Sequence, residues 1–323
     1  MLRVGILGAG GIAQKMAATL NGMESAQAWA IAARDGERAR KFAQEWGFEK
    51  SYGSYEALLA DPDVDLVYIA TPHSHHYRCV KMSLEAGKHV LCEKSFTVNA
   101  RQAEDLFELA KQKNLLLTEA IWTRYMPSRK MIDDLIAGGA IGTPVCLMAN
   151  LGYELHDVAR IWDRNLAGGA LLDLGVYVIN FARMVFGENM TDIKAQAAFR
   201  SGVDMTDSIT MIFDGDKVAT TQVCAMAAQN RTGMIFGTEG YIEVTNINNP
   251  ERIRVFDADY QEKAVYDPPK QITGYEYEVE ACARAIAEGA LECPEMPHAE
   301  TIRIMEIMDG IRESWGYEIP LLD

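Results

Sequence analysis

Leu2-Arg3-Val4-Gly5-Ile6-Leu7-Gly8-Ala9-Gly10-Gly11-Ile12-Ala13 is the stretch that decides the fold. An apolar run enters a glycine cluster and leaves as a helical pattern that continues to Leu20. In the G-x-G-x-x-G/A arrangement, Gly8 permits a tight strand-to-helix turn, Gly10 lets the backbone approach a pyrophosphate, and Ala13 lets the helix pack closely on the strand. Phosphates then sit on unpaired N–H groups at the positive end of the helix dipole. Glycine-rich turns also occur without a nucleotide. The strand-like run before this one and the helical run after it favour a nucleotide cradle.

Outward from that turn, strand-like runs at residues 3–7, 28–33, 66–69, 89–92 and 115–118 alternate with helical patterns at 37–46, 75–86 and 100–113. Such alternation predicts an α/β fold, an N-terminal Rossmann domain with a doubly wound parallel sheet. The rhythm changes near Glu119 to Arg124. After one helical stretch at 127–137, alternating segments follow at 145–151, 193–199, 208–213, 218–226, 232–236 and 252–256, then helical stretches at 276–288 and 299–315. They predict a C-terminal α+β domain with an open, largely antiparallel sheet. The expected domains are 1–121 and 122–323, with the last helix able to pack back on the first domain.

A chain of 323 residues, 49% hydrophobic and 24% charged, suits a two-domain enzyme with substantial cores. No apolar stretch reads as long enough to span a bilayer, and Met1 leads directly into the first strand without a signal-peptide pattern, so the expected location is cytoplasmic. Six cysteines, Cys79, Cys92, Cys146, Cys224, Cys282 and Cys293, form no C-x-x-C pair and read as reduced thiols, not as a disulfide framework or zinc site. The formal net charge of −15 disfavours nucleic acid and anionic membranes as partners. A phosphate-bearing cofactor must therefore be held by local donors, and a small neutral substrate suits the balance.

The end of the second strand reads Ala32-Ala33-Arg34-Asp35-Gly36-Glu37-Arg38. NAD-specific enzymes place an acid there against the ribose 2′-hydroxyl. Arg34 stands at that position with Arg38 one helical turn beyond, so two guanidinium groups favour the 2′-phosphate of NADP. Asp35 keeps NAD open, since a small rotation brings it to the 2′-hydroxyl.

Two later segments carry candidate chemistry. Glu93-Lys94-Ser95 follows a strand, at the carboxyl edge where open α/β sheets bind ligands. A lysine there can serve as an acid or base, or simply form a loop salt bridge. In Gly168-Gly169-Ala170-Leu171-Leu172-Asp173-Leu174-Gly175-Val176-Tyr177-Val178-Ile179-Asn180, a helix would set Asp173, Tyr177 and Asn180 on one face at i, i+4 and i+7. Their apolar neighbours favour a lined pocket over a solvated face. The cluster His73, His75 and His76 opens a helix without a matching carboxylate or cysteine set, so no metal is expected. His156 reads either as a substrate-contacting residue or as a surface loop histidine. Asp133 and Asp134, adjacent on a helix, point to different faces, and the sixteen methionines read as core filling.

The glycine turn, Thr71-Pro72-His73-Ser74-His75-His76, Glu93-Lys94 and the Asp173 segment stand in the order found in the glucose–fructose oxidoreductase, inositol dehydrogenase and MocA (Gfo/Idh/MocA) family, which the whole chain resembles. Within it, Ala32-Ala33-Arg34-Asp35, Tyr52-Gly53-Ser54-Tyr55-Glu56, Leu91-Cys92-Glu93-Lys94, Glu119-Ala120-Ile121-Trp122-Thr123-Arg124 and Leu171 to Tyr177 look like the dimeric dihydrodiol dehydrogenase branch, which includes NADP-dependent D-xylose dehydrogenases. The resemblance implies Lys94 and Tyr177 as the catalytic pair, positioned by Asp173. It implies Gly8, Gly10, Gly11, Ile12, Ala13, Arg34, Arg38, Thr71, His73, His76, Glu93, Lys94 and Trp122 around the cofactor. Trp122, Asp173 and Tyr177, with His156, are the expected substrate contacts, and a homodimer is the expected assembly. Tyr177 replaces the histidine of most family members, as in that branch. Ser95 replaces the usual proline, and a non-proline residue there predicts a trans Lys94–Ser95 bond.

The expected activity is hydride transfer between a secondary alcohol of a sugar, polyol or trans-dihydrodiol and NADP, or NAD, with Lys94 and Tyr177 handling the hydroxyl proton. Two other classes stay open. A redox-neutral NAD(P)-dependent glycoside hydrolase would release an aglycone without net nicotinamide reduction. A cofactor-binding regulator without catalysis need not keep Lys94, Asp173 and Tyr177 together, and their joint presence argues against it.

Overall fold

A computed structural model describes residues 1–321. In it the chain divides into two compact units, one of Met1–Tyr125 with Gln271–Glu306, the other of Met126–Lys270 with Ile307–Pro320. This differs from the expected division at residue 121, because the chain returns to the first unit after the second is built. At the return the Glu276 carboxylate accepts the N–H groups of Ile272, Thr273 and Gly274 at 2.6, 3.1 and 2.7 Å, and the turn so fixed meets the first unit through the Thr273 and Thr19 hydroxyls, 2.5 Å apart.

The first unit runs β1 (Leu2–Leu7), α1 (Gly11–Gly22), β2 (Ala26–Ala32), α2 (Gly36–Trp46), β3 (Lys50–Tyr52), α3 (Tyr55–Leu59), β4 (Leu66–Ile69), α4 (His73–Glu85), β5 (His89–Glu93), α5 (Ala100–Lys113) and β6 (Leu117–Ala120). Its strands lie in the order β3-β2-β1-β4-β5-β6, all parallel. The order reverses between β1 and β4, the switch point at which doubly wound sheets take their ligands. Every residue of β4 is buried, as a strand covered by helices on both faces requires. The short β3 and α3 give too little periodicity to be read from sequence. β6 lies two residues beyond the expected 115–118. Asn114 ends α5 in the left-handed region at φ 55°, and Leu116 N–H donates to His89 Nδ1 at 2.9 Å, so Leu115 and Leu116 become connector.

The second unit contains α6 (Pro127–Ala137), β7 (Pro144–Gly152), α7 (Val176–Phe186), β8 (Met190–Arg200), β9 (Val203–Phe213), β10 (Lys217–Cys224), β11 (Gly233–Gly237), β12 (Gly240–Thr245), β13 (Arg252–Asp257) and β14 (Glu262–Tyr266). The sheet order is β14-β13-β12-β11-β7-β10-β9-β8. β7 and β10 pair in parallel and the other pairs are antiparallel. Edge strand β14, Glu262-Lys263-Ala264-Val265-Tyr266, is mostly exposed and lacks the apolar alternation that marks a strand. α8 (Glu276–Glu288) belongs to the first unit, and α9 (His298–Ser314) divides between the two.

The stretch Arg164–Phe186 is long and apolar enough to pass for a membrane span, contrary to the sequence reading, with mean hydropathy 1.4. Its most apolar window is 89% buried inside the protein, so it is core. α7, within it, covers one face of the eight-stranded sheet. A Cβ on Gly233 of β11 would lie 2.6 Å from the Phe181 ring of α7 and 2.7 Å from Ile247. Overpacking a rigid ring destabilises. Gly233→Ala is expected to cost about 1–3 kcal/mol in chemical denaturation, and an unchanged midpoint would show that α7 packs more loosely on β11 than this.

Candidate active site

Gly8, at φ +104°, occupies the left-handed side of the map, and a Cβ there would lie 2.6 Å from the Ala70 carbonyl oxygen. Only glycine fits. A Cβ on Gly10 or Gly11, by contrast, meets nothing within 4 Å. α1 begins after Gly10 without a side-chain cap, so its first N–H groups have no side-chain acceptor from the N-cap. Ala13 is fully buried beneath them. These backbone donors at a positive helix end, with room above, fit the pyrophosphate of a dinucleotide.

Asp35 caps α2, accepting the N–H groups of Glu37 and Arg38 at 2.9 and 3.3 Å. Arg34 and Arg38 are exposed beside it. Arg38 also donates from Nε and Nη2 to the Ala9 carbonyl at 3.2 and 2.6 Å, tying the first turn of α2 to the glycine turn.

Thr71 and His73 stand where β4 gives way to α4, and His73 is buried with its ring edge-on to His76, centroids 5.6 Å apart. His76 differs from the expected cofactor contact. It is fully buried, with Nε2 2.9 Å from the Thr71 carbonyl and Nδ1 2.9 Å from that of Ser95, so it struts the turn after β4 against the turn after β5. Glu93 ends β5, taking a hydrogen bond from the Tyr68 hydroxyl on one oxygen and the Lys94 N–H at 3.2 Å on the other. Burial first, then the charge of Glu93, pushes the Tyr68 phenol well above its ordinary range. The Lys94–Ser95 peptide bond is cis, not trans as expected, within a turn whose Ser95 carbonyl is held by His76. Trp122 lies in a 3-10 turn after β6, buried, with its ring stacked on Tyr275 at 4.2 Å.

In the second unit the segment that carries Asp173 and Tyr177 opens as a π turn, Leu171–Gly175, before α7, so the plain α-helical spacing expected from sequence does not hold. Asp173, Tyr177 and Asn180 are all buried, which removes the solvated-face alternative. Asp173 Oδ1 pairs with Arg160 Nη2 at 3.0 Å, while Asn180 turns back to donate to the Val176 carbonyl at 2.8 Å. His156 is an exposed loop residue whose ring meets Trp162 edge-on, the surface alternative of the sequence reading.

Sequence reasoning missed Arg160, Asp204 and Asp207. Asp204 Oδ2 accepts the Leu171 N–H at 2.6 Å, holding the first turn of this helical segment. Its other oxygen lies 2.2 Å from where a Cβ on Gly169 would sit, and Gly169 has φ +112°. Gly169 is therefore required by the buried acid, and Gly168 by the carbonyls of Ile161 and Arg160, 2.4 and 2.5 Å from where its Cβ would sit. Alternation along β9 was the available signal for Asp207, which interrupts the apolar phase of Val203, Met205, Ile209, Met211 and Phe213, whereas Asp204 lies in the phase of Thr206, Ser208 and Thr210 and gave none. Burial pushes both carboxyls up, and Asp207 further through the charge of Asp204. Among the described residues no group of histidine, cysteine and acidic side chains is arranged to hold a metal.

Within the first unit the glycine turn, Arg34, Arg38, Thr71, His73, Glu93, Lys94 and Trp122 gather along the carboxyl ends of neighbouring parallel strands. A doubly wound sheet so equipped defines a nucleotide-dependent enzyme. The chain belongs to the Gfo/Idh/MocA oxidoreductase family. Residues 2–121 match its oxidoreductase domain with NAD-binding Rossmann fold, and residues 130–243 match its C-terminal domain. It is 34% identical to human trans-1,2-dihydrobenzene-1,2-diol dehydrogenase over 99% of this chain and 98% of that protein. It is also 34% identical to D-xylose 1-dehydrogenase (NADP(+)) of Hypocrea jecorina, over 99% and 94% of the two chains. Among solved structures, a 3-ketoreductase from Actinomadura kijaniata in complex with NADP and TDP-benzene superposes with a TM-score of 0.89 at 25% identity, covering 97% of each chain.

The buried acids yield a stability prediction. A folded-state pKa raised above the unfolded value means that the native state holds a proton the unfolded chain releases. The associated stability is present at low pH and lost as pH rises from the carboxylate range toward the raised value. Asp207→Asn, which mimics the protonated acid, should flatten that decline in denaturation measured from about pH 4 to 9. An unaltered slope would mean that Asp207 is ionised in the native protein.

Proposed function

We propose that this oxidoreductase oxidises a secondary alcohol of a sugar, polyol or trans-dihydrodiol, and reduces the matching ketone or lactone carbonyl, with NADP preferred over NAD. The observation that carries the reading is the sheet edge, where an uncapped glycine turn, two exposed arginines and Lys94 lie at neighbouring strand ends. The names of the relatives, which act on a dihydrodiol, on D-xylose with NADP(+) and on a 3-keto group, support the substrate class. The capping role of Asp35 supports NADP, because its carboxylate is engaged by α2 while Arg34 and Arg38 remain exposed for a 2′-phosphate.

Gly8, Gly10, Gly11, Ile12 and Ala13 hold the pyrophosphate, and Thr71, His73 and Glu93 line the approach to Lys94. When bound, the nicotinamide serves as the two-electron acceptor or donor. Lys94 and Tyr177 take the hydroxyl proton during oxidation and return it to the carbonyl oxygen during reduction. Asp173, itself paired to Arg160, orients them, and Trp122 offers an aromatic wall to the ring. A homodimer through the uncovered face of the second sheet fits its exposed apolar residues, with Met148 53% exposed beside Met234 and Phe236. A cytoplasmic location is supported by six cysteines that are all free thiols.

Nicotinamide absorbance with NADP or NAD and a panel of D-xylose, D-glucose, inositol and a trans-dihydrodiol tests the reading, with NADP-preferring reduction expected. Absence of reduction despite cofactor binding, with aglycone release from chromogenic glycosides, would replace it by the redox-neutral hydrolase. Lys94→Ala and Tyr177→Phe should each lower turnover by ~10²-fold or more with NADP binding retained, and near-normal turnover in both would overturn their roles. Arg34→Ala should weaken NADP binding by ~10-fold or more and NAD binding far less, so an equal loss for both cofactors would count against the 2′-phosphate contact.

A further inference from the structure

Glu119 is the third residue of β6, directly opposite Cys92 of β5, and is 1% exposed. A fully buried acid is out of pattern even on β6, the edge strand of the parallel sheet, because acids are almost never fully buried unless paired. Its Oε1 accepts the N–H of Phe96 at 3.2 Å, in the turn immediately after Lys94. The same turn is held from the other side by His76 of α4, whose Nδ1 lies 2.9 and 3.3 Å from the carbonyls of Ser95 and Phe96. The backbone that leaves Lys94 is thus clamped at its carbonyls by a histidine and at one N–H by a buried carboxylate.

We infer that Glu119 is a positioning residue for Lys94: its carboxylate fixes the following turn through the Phe96 N–H, and protonation of that carboxylate loosens the hold. The inference rests on the reading that Lys94 moves the substrate proton. Groups facing Glu119 come from each packed element: Cys92 from β5, Lys94 from the turn, Arg124 from the 3-10 turn after β6, and Thr301 from α9. Arg124 is itself paired with Glu300 of α9. Full burial raises the Glu119 carboxyl to about 7, while Thr301, the Phe96 N–H, Arg124 and Lys94 act to lower it. An ionised carboxylate accepts an N–H more strongly than a neutral acid. Falling pH therefore weakens the clamp near neutrality, and turnover falls with it.

The experiment is the pH profile of kcat and of KM for wild type, Glu119→Gln, Thr301→Val and Lys94→Ala, with NADP affinity and melting temperature measured alongside. Glu119→Gln keeps the shape and one acceptor but cannot titrate. It is expected to lower kcat several-fold at alkaline pH, to remove the loss of kcat centred near neutrality, and to leave NADP affinity unchanged. Thr301→Val replaces a polar hydroxyl facing the carboxylate by a methyl and so deepens its desolvation, which should move the acid limb of kcat to higher pH. A merely structural Glu119 would lower the melting temperature and leave the wild-type profile in place, and that outcome overturns the inference. Should Glu119→Gln fail to fold, an acid limb unmoved in Thr301→Val overturns it equally. Near-normal turnover in Lys94→Ala would instead overturn the role of Lys94. Loss there with a wild-type profile in Glu119→Gln overturns the positioning role alone.

Discussion

Burial of the parallel strands on both faces is the constraint from which the first unit follows. With β4 wholly inside and its neighbours nearly so, polar chemistry has room only where the strands end. The glycine turn after β1, the arginines after β2, Thr71 and His73 after β4, and Glu93-Lys94 after β5 all obey that restriction. After β1 and β4 the helices α1 and α4 begin without a side-chain cap, and their N–H groups supply positive potential that an acidic protein of net charge −15 does not otherwise offer a phosphate.

Buried carboxyl groups are the second theme, and they recur beneath the functional side chains. Glu93 and Glu119 lie under Lys94, Glu278 of α8 is fully buried and pushed up by burial and by the charge of Glu93, and Asp204 and Asp207 underlie the segment bearing Asp173 and Tyr177. Removing a carboxylate from water without a countercharge is expensive, so such groups take up a proton or gather N–H donors. Asp204 and Glu119 use backbone donors, of Leu171 and Phe96, and in doing so fix main chain that adjoins candidate catalytic residues. The cost in stability accompanies rigidity where geometry matters.

Much of this was legible before folding. The glycine turn, the βα alternation, Glu93-Lys94 at a strand end and the Arg34-Asp35 junction depend on local rules, namely turn conformation, side-chain periodicity and capping, and these are written in neighbouring residues. Weak local signals were lost. β3 and α3 are too short, β14 is an exposed polar edge, and β6 begins late because Asn114 closes α5 in the left-handed region. The apolar run around α7 was passed over as too short for a membrane span, although its length and composition suffice for one, and burial in protein and burial in lipid select the same residues.

The sequence alone determined the doubly wound first domain, its nucleotide turn and which side chains stand at the strand ends, because each follows from contacts between residues close in the chain. Tertiary structure decided the rest. His76 joining two turns, Arg38 meeting the Ala9 carbonyl, Arg160 meeting Asp173, and Asp204 requiring a glycine at 169 involve partners set by packing and hydrogen-bond satisfaction. So does the return of Gln271–Glu306 to the first unit. No periodicity encodes which distant N–H or guanidinium will meet a buried acid; that is settled only when the core closes and every polar group inside it must find a partner or a proton.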